Sequence, residues 1–259
     1  MKKRTFFLIL GIVLALAAVG VLVRLFLVTY APSAESESYA PVTDTTSVTI
    51  DRTTADEVQE DETVPYVSPV DFDSLQAINA DIYGWIDIAG TNISYPVVQS
   101  ADDDTFYLNH NTDGEYSANG SIFSEHEFNA MDFDTDPVII LYGHHMSSGD
   151  MFGQMQEYYL DPDFFAQDTP IMIYTPERAY EYHVFAAVPY SNEHILYYFD
   201  FTQEASFTAF FDAINDIRSL NAVFNEEYAP QYGDHVLILS TCLIGNNTQR
   251  FLVMATLTE

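Results

Sequence analysis

HVLILSTCLIGNNTQRFLVMATL, running from His235 to Leu257, holds two apolar runs on either side of a polar stretch. Aliphatic residues dominate HVLILSTC and RFLVMATL, and each is short enough to be a buried strand rather than a helix. The chain is therefore expected to close on two strands. The first run ends at Cys242, the only cysteine in 259 residues. Arg250 stands eight residues further on, where the second run begins. It is one of only four cations after Tyr30, with Arg52, Arg178 and Arg218. The pair raises the question of whether this cysteine is core or chemistry.

Working outward, PVIILYGHH (Pro137–His145) repeats the pattern: a nearly continuous apolar run bounded by Pro137 and Gly143, a buried strand by its length and flanks. YGWIDIAGTNISYPVVQ reads as two strands about an Ala-Gly-Thr turn. GSIFSEH, PIMIYT and AYEYHVFAAVPY are strand-like, the last two rich in aromatic and β-branched residues. FDSLQAINADI spaces Phe72, Leu75, Ile78 and Ile82 as a short amphipathic helix, and MFGQMQEYYLD is also helical. QEASFTAFFDAINDIRSL places Phe207, Phe210, Phe211, Ile214 and Ile217 on one face of a longer helix. About eight short strands, with helices inserted irregularly, predict a mostly β fold. A β-barrel with helical additions fits that order better than a parallel α/β sheet.

The ends of the chain differ from its middle. Phe6–Val23 is uncharged and long enough to cross a bilayer as a helix, and Lys2, Lys3 and Arg4 precede it. Residues 1–30 are accordingly expected to be a short cytoplasmic tip and a single transmembrane anchor, with everything after them exported. The alternative is a cleaved signal peptide, for which YAPSAES offers small residues. Residues 31–68, rich in Ser, Thr, Asp and Glu, read as a solvated stalk with a reach of about 120 Å when fully extended. Residues 69–259 are expected to form the folded domain. All 39 acidic residues lie after Tyr30, and no lysine does. Such a surface is unsuited to nucleic acid or to anionic lipid, both of which attract basic patches.

A lone cysteine in an exported chain is buried, paired between molecules, or a working thiol. The plain reading of Cys242 is a small apolar residue at a strand end. The chemical reading needs a base, and histidine is the usual partner of a nucleophilic thiolate. VIILYGHH ends one buried strand as VLILSTC ends another, so two neighbouring strand ends would bring a histidine and the cysteine to one rim. Adjacent residues of a strand face opposite sides, so His144 and His145 are not expected to face Cys242 together. Arg250, which is no base at neutral pH, would bind a substrate carbonyl and its oxyanion.

ILSTC with Arg250 eight residues on resembles the signature of the sortase family, a Thr-Leu-x-Thr-Cys strand end followed by an arginine. ILYGHHM…MFGQM is similar to the histidine segment of class B sortases in particular. The resemblance extends through VDFDSLQAINADIYGWIDIAGTNISYPVVQ, FYLNHN and GSIF, over most of residues 70–257. Ile238 departs from the threonine at the first signature position, and LIGNNTQ replaces an acid-rich stretch carried by many relatives.

The resemblance implies an eight-stranded sortase-type β-barrel, with an N-terminal helix and a long helix before the cysteine strand. It also implies a cysteine transpeptidase. Cys242 would attack a Thr–Gly-like bond in the C-terminal sorting signal of a surface protein. His144 would be the acid and base, and Arg250 the oxyanion partner. Ser240 and Tyr142 would line the signal groove. The thioacyl-enzyme would pass its substrate to an amine of a peptidoglycan precursor or a pilin. No cofactor and no metal are implied. DFDTDP (Asp132–Pro137) fails as a calcium loop, because Pro137 and Gly143 stand at its sixth and twelfth positions. Two other classes compete: a cell-wall cysteine peptidase that uses water as acceptor, and a non-enzymatic exported binding module.

Overall fold

The structure, a computed structural model, describes residues 65–258. The expected anchor and all of the expected stalk before residue 65 lie outside the described residues. Residues 65–68 carry no helix or strand, and among the described residues no helix is long and apolar enough to cross a membrane.

A short helix, α1 (Phe72–Ile78), opens the domain. Asp71 caps it by accepting the Ser74 N–H, and Phe72 and Leu75 turn inward as their spacing requires. The strands follow: β1 (Ile82–Ile88), β2 (Ser94–Val98), β3 (Ile122–Phe123) and β4 (Val138–Tyr142). Two short helices, α2 (Met155–Leu160) and α3 (Pro162–Phe165), lead to β5 (Ile171–Tyr174) and the long β6 (Ala179–Ser191). Then come α4 (Ile195–Tyr198), α5 (Glu204–Asn215), β7 (Val223–Phe224), β8 (Val236–Leu243) and β9 (Asn246–Leu257). Hydrogen bonding runs β5-β1-β2-β3-β4-β8-β9-β6, and β6 returns to β5, which closes an eight-stranded barrel. The ninth strand, β7, pairs only with Ala186 and Ala187 in the middle of β6.

Side-chain alternation divides β4, β8 and β9 between two of the three cores; the third packs Phe72 and Leu75 of α1 with Ile82, Trp85, Val98 and Tyr107. Ile139 and Leu141 of β4, Leu237 and Leu239 of β8, and Phe251 and Val253 of β9 fill the barrel. The alternate residues Val138, Ile140, Val236, Ile238, Leu252 and Met254 face outward and are covered by Phe207, Phe210, Phe211 and Ile214 of α5. That amphipathic helix is thus the lid of a second core, and Ile217 packs against it just beyond the last turn.

Two neighbouring strand pairs are parallel, β2–β3 and β4–β8. A parallel pair requires the chain to travel back the length of the sheet. After β2, residues 99–121 make that return and deliver the chain to the rim where β4 ends. After β4, residues 143–235 carry β5, β6 and the helices before β8 begins.

On β6, His183 faces two carboxylates, with Nδ1 3.0 Å from Asp168 and Nε2 2.8 Å from Glu181. Tyr228 stacks on the ring and donates its hydroxyl to Asp168. Burial opposes the charge, but the two carboxylates outweigh it and raise the imidazole above its ordinary range. A raised histidine stabilises the fold fully below the unfolded value, near 6.5, and loses that contribution as pH rises through the folded value. The melting temperature of wild type should therefore exceed that of His183→Gln by most at about pH 5–6. The gap should shrink by about pH 9, and a gap independent of pH would show that the ring acts by packing alone.

Candidate active site

Strand alternation carries the outward face of the sheet to its rim. On β8 that face continues from Val236 and Ile238 to Ser240 and Cys242, while Thr241 stays with the barrel interior, 2% exposed. On β4 it continues from Ile140 to Tyr142. Tyr142 and Ser240 are register partners, and the Gly143 N–H donates to the Ser240 carbonyl, extending the ladder past the strand end. His144 and Cys242 each stand two residues beyond that pair, on neighbouring parallel chains. Ser240 is buried, at 5% exposure, whereas Tyr142, His144, Cys242 and Arg250 are half-buried.

Arg250 reaches Cys242 across the β8–β9 hairpin. The two are register partners, and Arg250 Nη1 lies 3.8 Å from the sulfur. A regular hairpin would not bring them together. Leu243 pairs with Asn246 about the Ile244–Gly245 turn, which would set Cys242 opposite Asn247. Instead the register shifts between Cys242 and Leu243. The extra residues form a bulge on β9, and Arg250 moves into line. Gly245 adopts φ +74°, the left-handed conformation a glycine takes at the second corner of such a turn. The turn is also tied from outside, since Ile244 N–H donates to Oε1 of the buried Gln156 on α2.

The two adjacent histidines have different surroundings. His144 Nε2 lies 2.7 Å from the Leu108 carbonyl. His145 forms a bridge with Met151, and its Nε2 is buried with no hydrogen-bond partner. Gly143, just before them, is there for want of space. A Cβ would come within 2.5 Å of Ile122 Cδ1 and 2.6 Å of the ring of Phe152, which is fully buried. Gly143→Ala should cost about 1–3 kcal/mol by overpacking and reduce turnover as well, because His144 is the next residue. Denaturant midpoints and rates measured together check this; wild-type values in both would mean that the rim yields freely.

Tyr142 is held from behind. Its hydroxyl donates to Glu125 Oε2 at 2.9 Å, and Glu125 Oε1 lies 2.9 Å from His194 Nε2, at the start of α4. Burial, then the charge and hydrogen bond of Glu125, hold the Tyr142 hydroxyl far above the ordinary phenol range, while Arg250 acts weakly in the opposite sense. Tyr142 is therefore a neutral donor that fixes Glu125. Sequence reasoning passed over Glu125, His194 and Leu108. Their partners are 17 to 69 residues away, and no local pattern marks them. Among the described residues no group of three or more His, Cys, Asp or Glu is arranged to hold a metal ion. The DFDTDP turn is tied to β6 instead, with Asp134 accepting from Arg178 and from the Tyr180 hydroxyl.

Residues 86–258 match the family model for the sortase domain. The chain belongs to the sortase family. Sortases are cysteine transpeptidases, and the class B members are its relatives. It is 34% identical over 168 residues to sortase B of Listeria monocytogenes, a match that spans 65% of this chain and 65% of the Listeria protein's own length. Among solved structures, sortase B of Clostridium perfringens superposes with a TM-score of 0.63 at 28% identity, covering 73% of this chain and all of that one. A Staphylococcus aureus sortase B–substrate complex gives 0.61 at 28% identity, covering 73% and 84%. The expected eight-stranded sortase barrel is the fold observed.

Proposed function

We propose that this chain is a membrane-anchored, extracellular cysteine transpeptidase of the sortase B type. In this reading Cys242 attacks the carbonyl of a Thr–Gly-like bond in a C-terminal sorting signal and forms a thioester. His144 gives a proton to the departing amine and later takes one from the acceptor. Arg250 donates N–H groups to the oxyanion of each tetrahedral intermediate. Ser240 and Tyr142 line the groove for the signal, with Tyr142 anchored through Glu125. The acceptor is an amine of a peptidoglycan precursor or a pilin. Residues 1–30 hold the enzyme in the cell membrane with its N-terminus in the cytoplasm, and residues 31–68 extend it toward the wall. The chemistry needs no cofactor, and nucleic acid is no partner of so acidic a surface.

The observation that carries the reading is the Cys242–Arg250 pair. A cross-strand guanidinium 3.8 Å from a half-buried thiol supports a working role for that thiol, because a cationic donor there favours the thiolate. A purely structural cysteine has no need of that neighbour. Family membership and the sortase B relatives add their weight.

The test uses the full-length protein, a library of sorting-signal peptides and an added amine, read by mass spectrometry with Cys242→Ala as control. Cleavage at one motif with an amine adduct, lost in the control, is the expected result and names the motif. Cleavage with water alone as acceptor would make the protein a peptidase. Absence of Cys242-dependent turnover across the library would favour a binding module.

A further inference from the structure

We propose that the Leu108 carbonyl is a positioning group for the reaction: it holds His144 as the Nε2–H tautomer, so that Nδ1 is the nitrogen that gives and takes the proton. The inference rests on the reading of His144 as acid and base, and it specifies the atom through which that residue works.

A carbonyl oxygen has no hydrogen to offer. The 2.7 Å contact between His144 Nε2 and Leu108 O therefore places a proton on Nε2, in the neutral ring and in the cation alike. Nδ1 is left to exchange its proton. When the tetrahedral intermediate collapses, Nδ1–H passes to the nitrogen of the departing amine as the C–N bond breaks, and a neutral ring remains. When the acceptor amine attacks the thioester, Nδ1 takes a proton from its nitrogen as the new amide forms and the Cys242 sulfur leaves. An acid–base group oriented by a third group is a recurrent device beside a nucleophile, and here the third group belongs to the backbone.

The fold invests in that carbonyl. It lies on the crossover that the parallel β2–β3 pair requires, in a single 3₁₀ turn, Phe106–Leu108. Tyr107, 2% exposed, anchors the turn, donating to Asp81 and accepting from Asn79 through its hydroxyl. Ser121 N–H donates to the Tyr107 carbonyl, and Ser117 N–H to the carbonyl of Asn109. His110 stacks on Phe106 with the ring centroids 3.9 Å apart. Gly120 closes the loop at φ +60°, and a Cβ there would stand 2.6 Å from the Tyr107 oxygen and 2.7 Å from the Leu108 oxygen. The glycine is what allows the Leu108 carbonyl to stay where His144 meets it.

Gly120→Ala is thus a steric lever on a group that no side-chain substitution can remove. Gly114→Ala is its control: it has the same backbone requirement, at φ +79°, on the same crossover, with nothing within 4 Å of the added carbon. Full-length protein labelled with ¹⁵N-histidine is studied by two-bond ¹H–¹⁵N correlation at a pH where the ring is neutral, with His144→Ala assigning the signal. Wild type should show the Nε2–H tautomer. Gly120→Ala should shift the ring toward a mixture and lower kcat roughly tenfold, the worth of about one hydrogen bond, with KM little changed. Gly114→Ala should match wild type in both readouts. An Nδ1–H tautomer in wild type overturns the proposal, and this measurement decides alone if Gly120→Ala does not fold. A folded Gly120→Ala protein that keeps the wild-type tautomer overturns it too, whatever its kcat. The expected tautomers with no transfer by wild type would uphold the assignment of Nε2–H while overturning the transpeptidase reading.

Discussion

Transfer should fall to background in Cys242→Ala and by about 10²–10⁴-fold in His144→Ala, while His145→Ala keeps most of it. The neighbouring histidines separate by their surroundings. His144 stands two residues after Tyr142, the last residue of β4, as Cys242 stands two residues after Ser240, the register partner of Tyr142, and the His144 Nε2 meets the Leu108 carbonyl. His145 turns its Nε2 into a buried position without a partner. Its loss should remove packing and leave the proton carrier in place. The assay is amine-dependent transfer by purified full-length protein, with melting temperatures to separate unfolding from lost chemistry. Loss of transfer in His145→Ala with a wild-type His144→Ala would move the base by one residue.

Arg250→Ala should lower kcat/KM by about 10²–10³-fold, the usual consequence of losing an oxyanion donor. Arg250→Lys should recover little of this. The guanidinium lies directly across the hairpin from Cys242 and presents several N–H groups in one plane, so it can address the sulfur and a neighbouring carbonyl together. A lysine ammonium keeps the charge and loses the fork. Comparing the two variants distinguishes geometry from charge: if lysine restored near-wild-type rates, a cation alone would suffice. Labelling of Cys242 by a small thiol reagent in both variants checks that the rim remains open.

Much of the barrel was legible because hydrophobic pattern is local. VLILSTC, VIILY and the alternating AYEYHVFAAV state their burial in their own residues, and the aromatic stripe of Gln203–Leu220 shows a helical period. That helix ends at Asn215, short of the expected Leu220, with Asp216 as its cap. The segments that escaped notice are too short to express a period. The helices α3 and α4 are four residues each, and β7 is two. The pieces of the site could be named from resemblance, but residue pattern alone left His144 and His145 undivided.

Residue pattern alone marks the buried strands and the apolar face of α5, shows that one thiol and few cations are available, and sets Cys242 and Arg250 on consecutive strands. That those two stand opposite one another follows from the folded register, since a regular turn at Ile244–Gly245 would have set Asn247 there and the bulge brings Arg250 instead. The fold also returns the crossover after β2 to the rim of β4, which lets a carbonyl 36 residues away meet His144. Periodicity records how a residue sits relative to its neighbours. Register and crossover are settled by which whole arrangement closes the barrel and fills its cores.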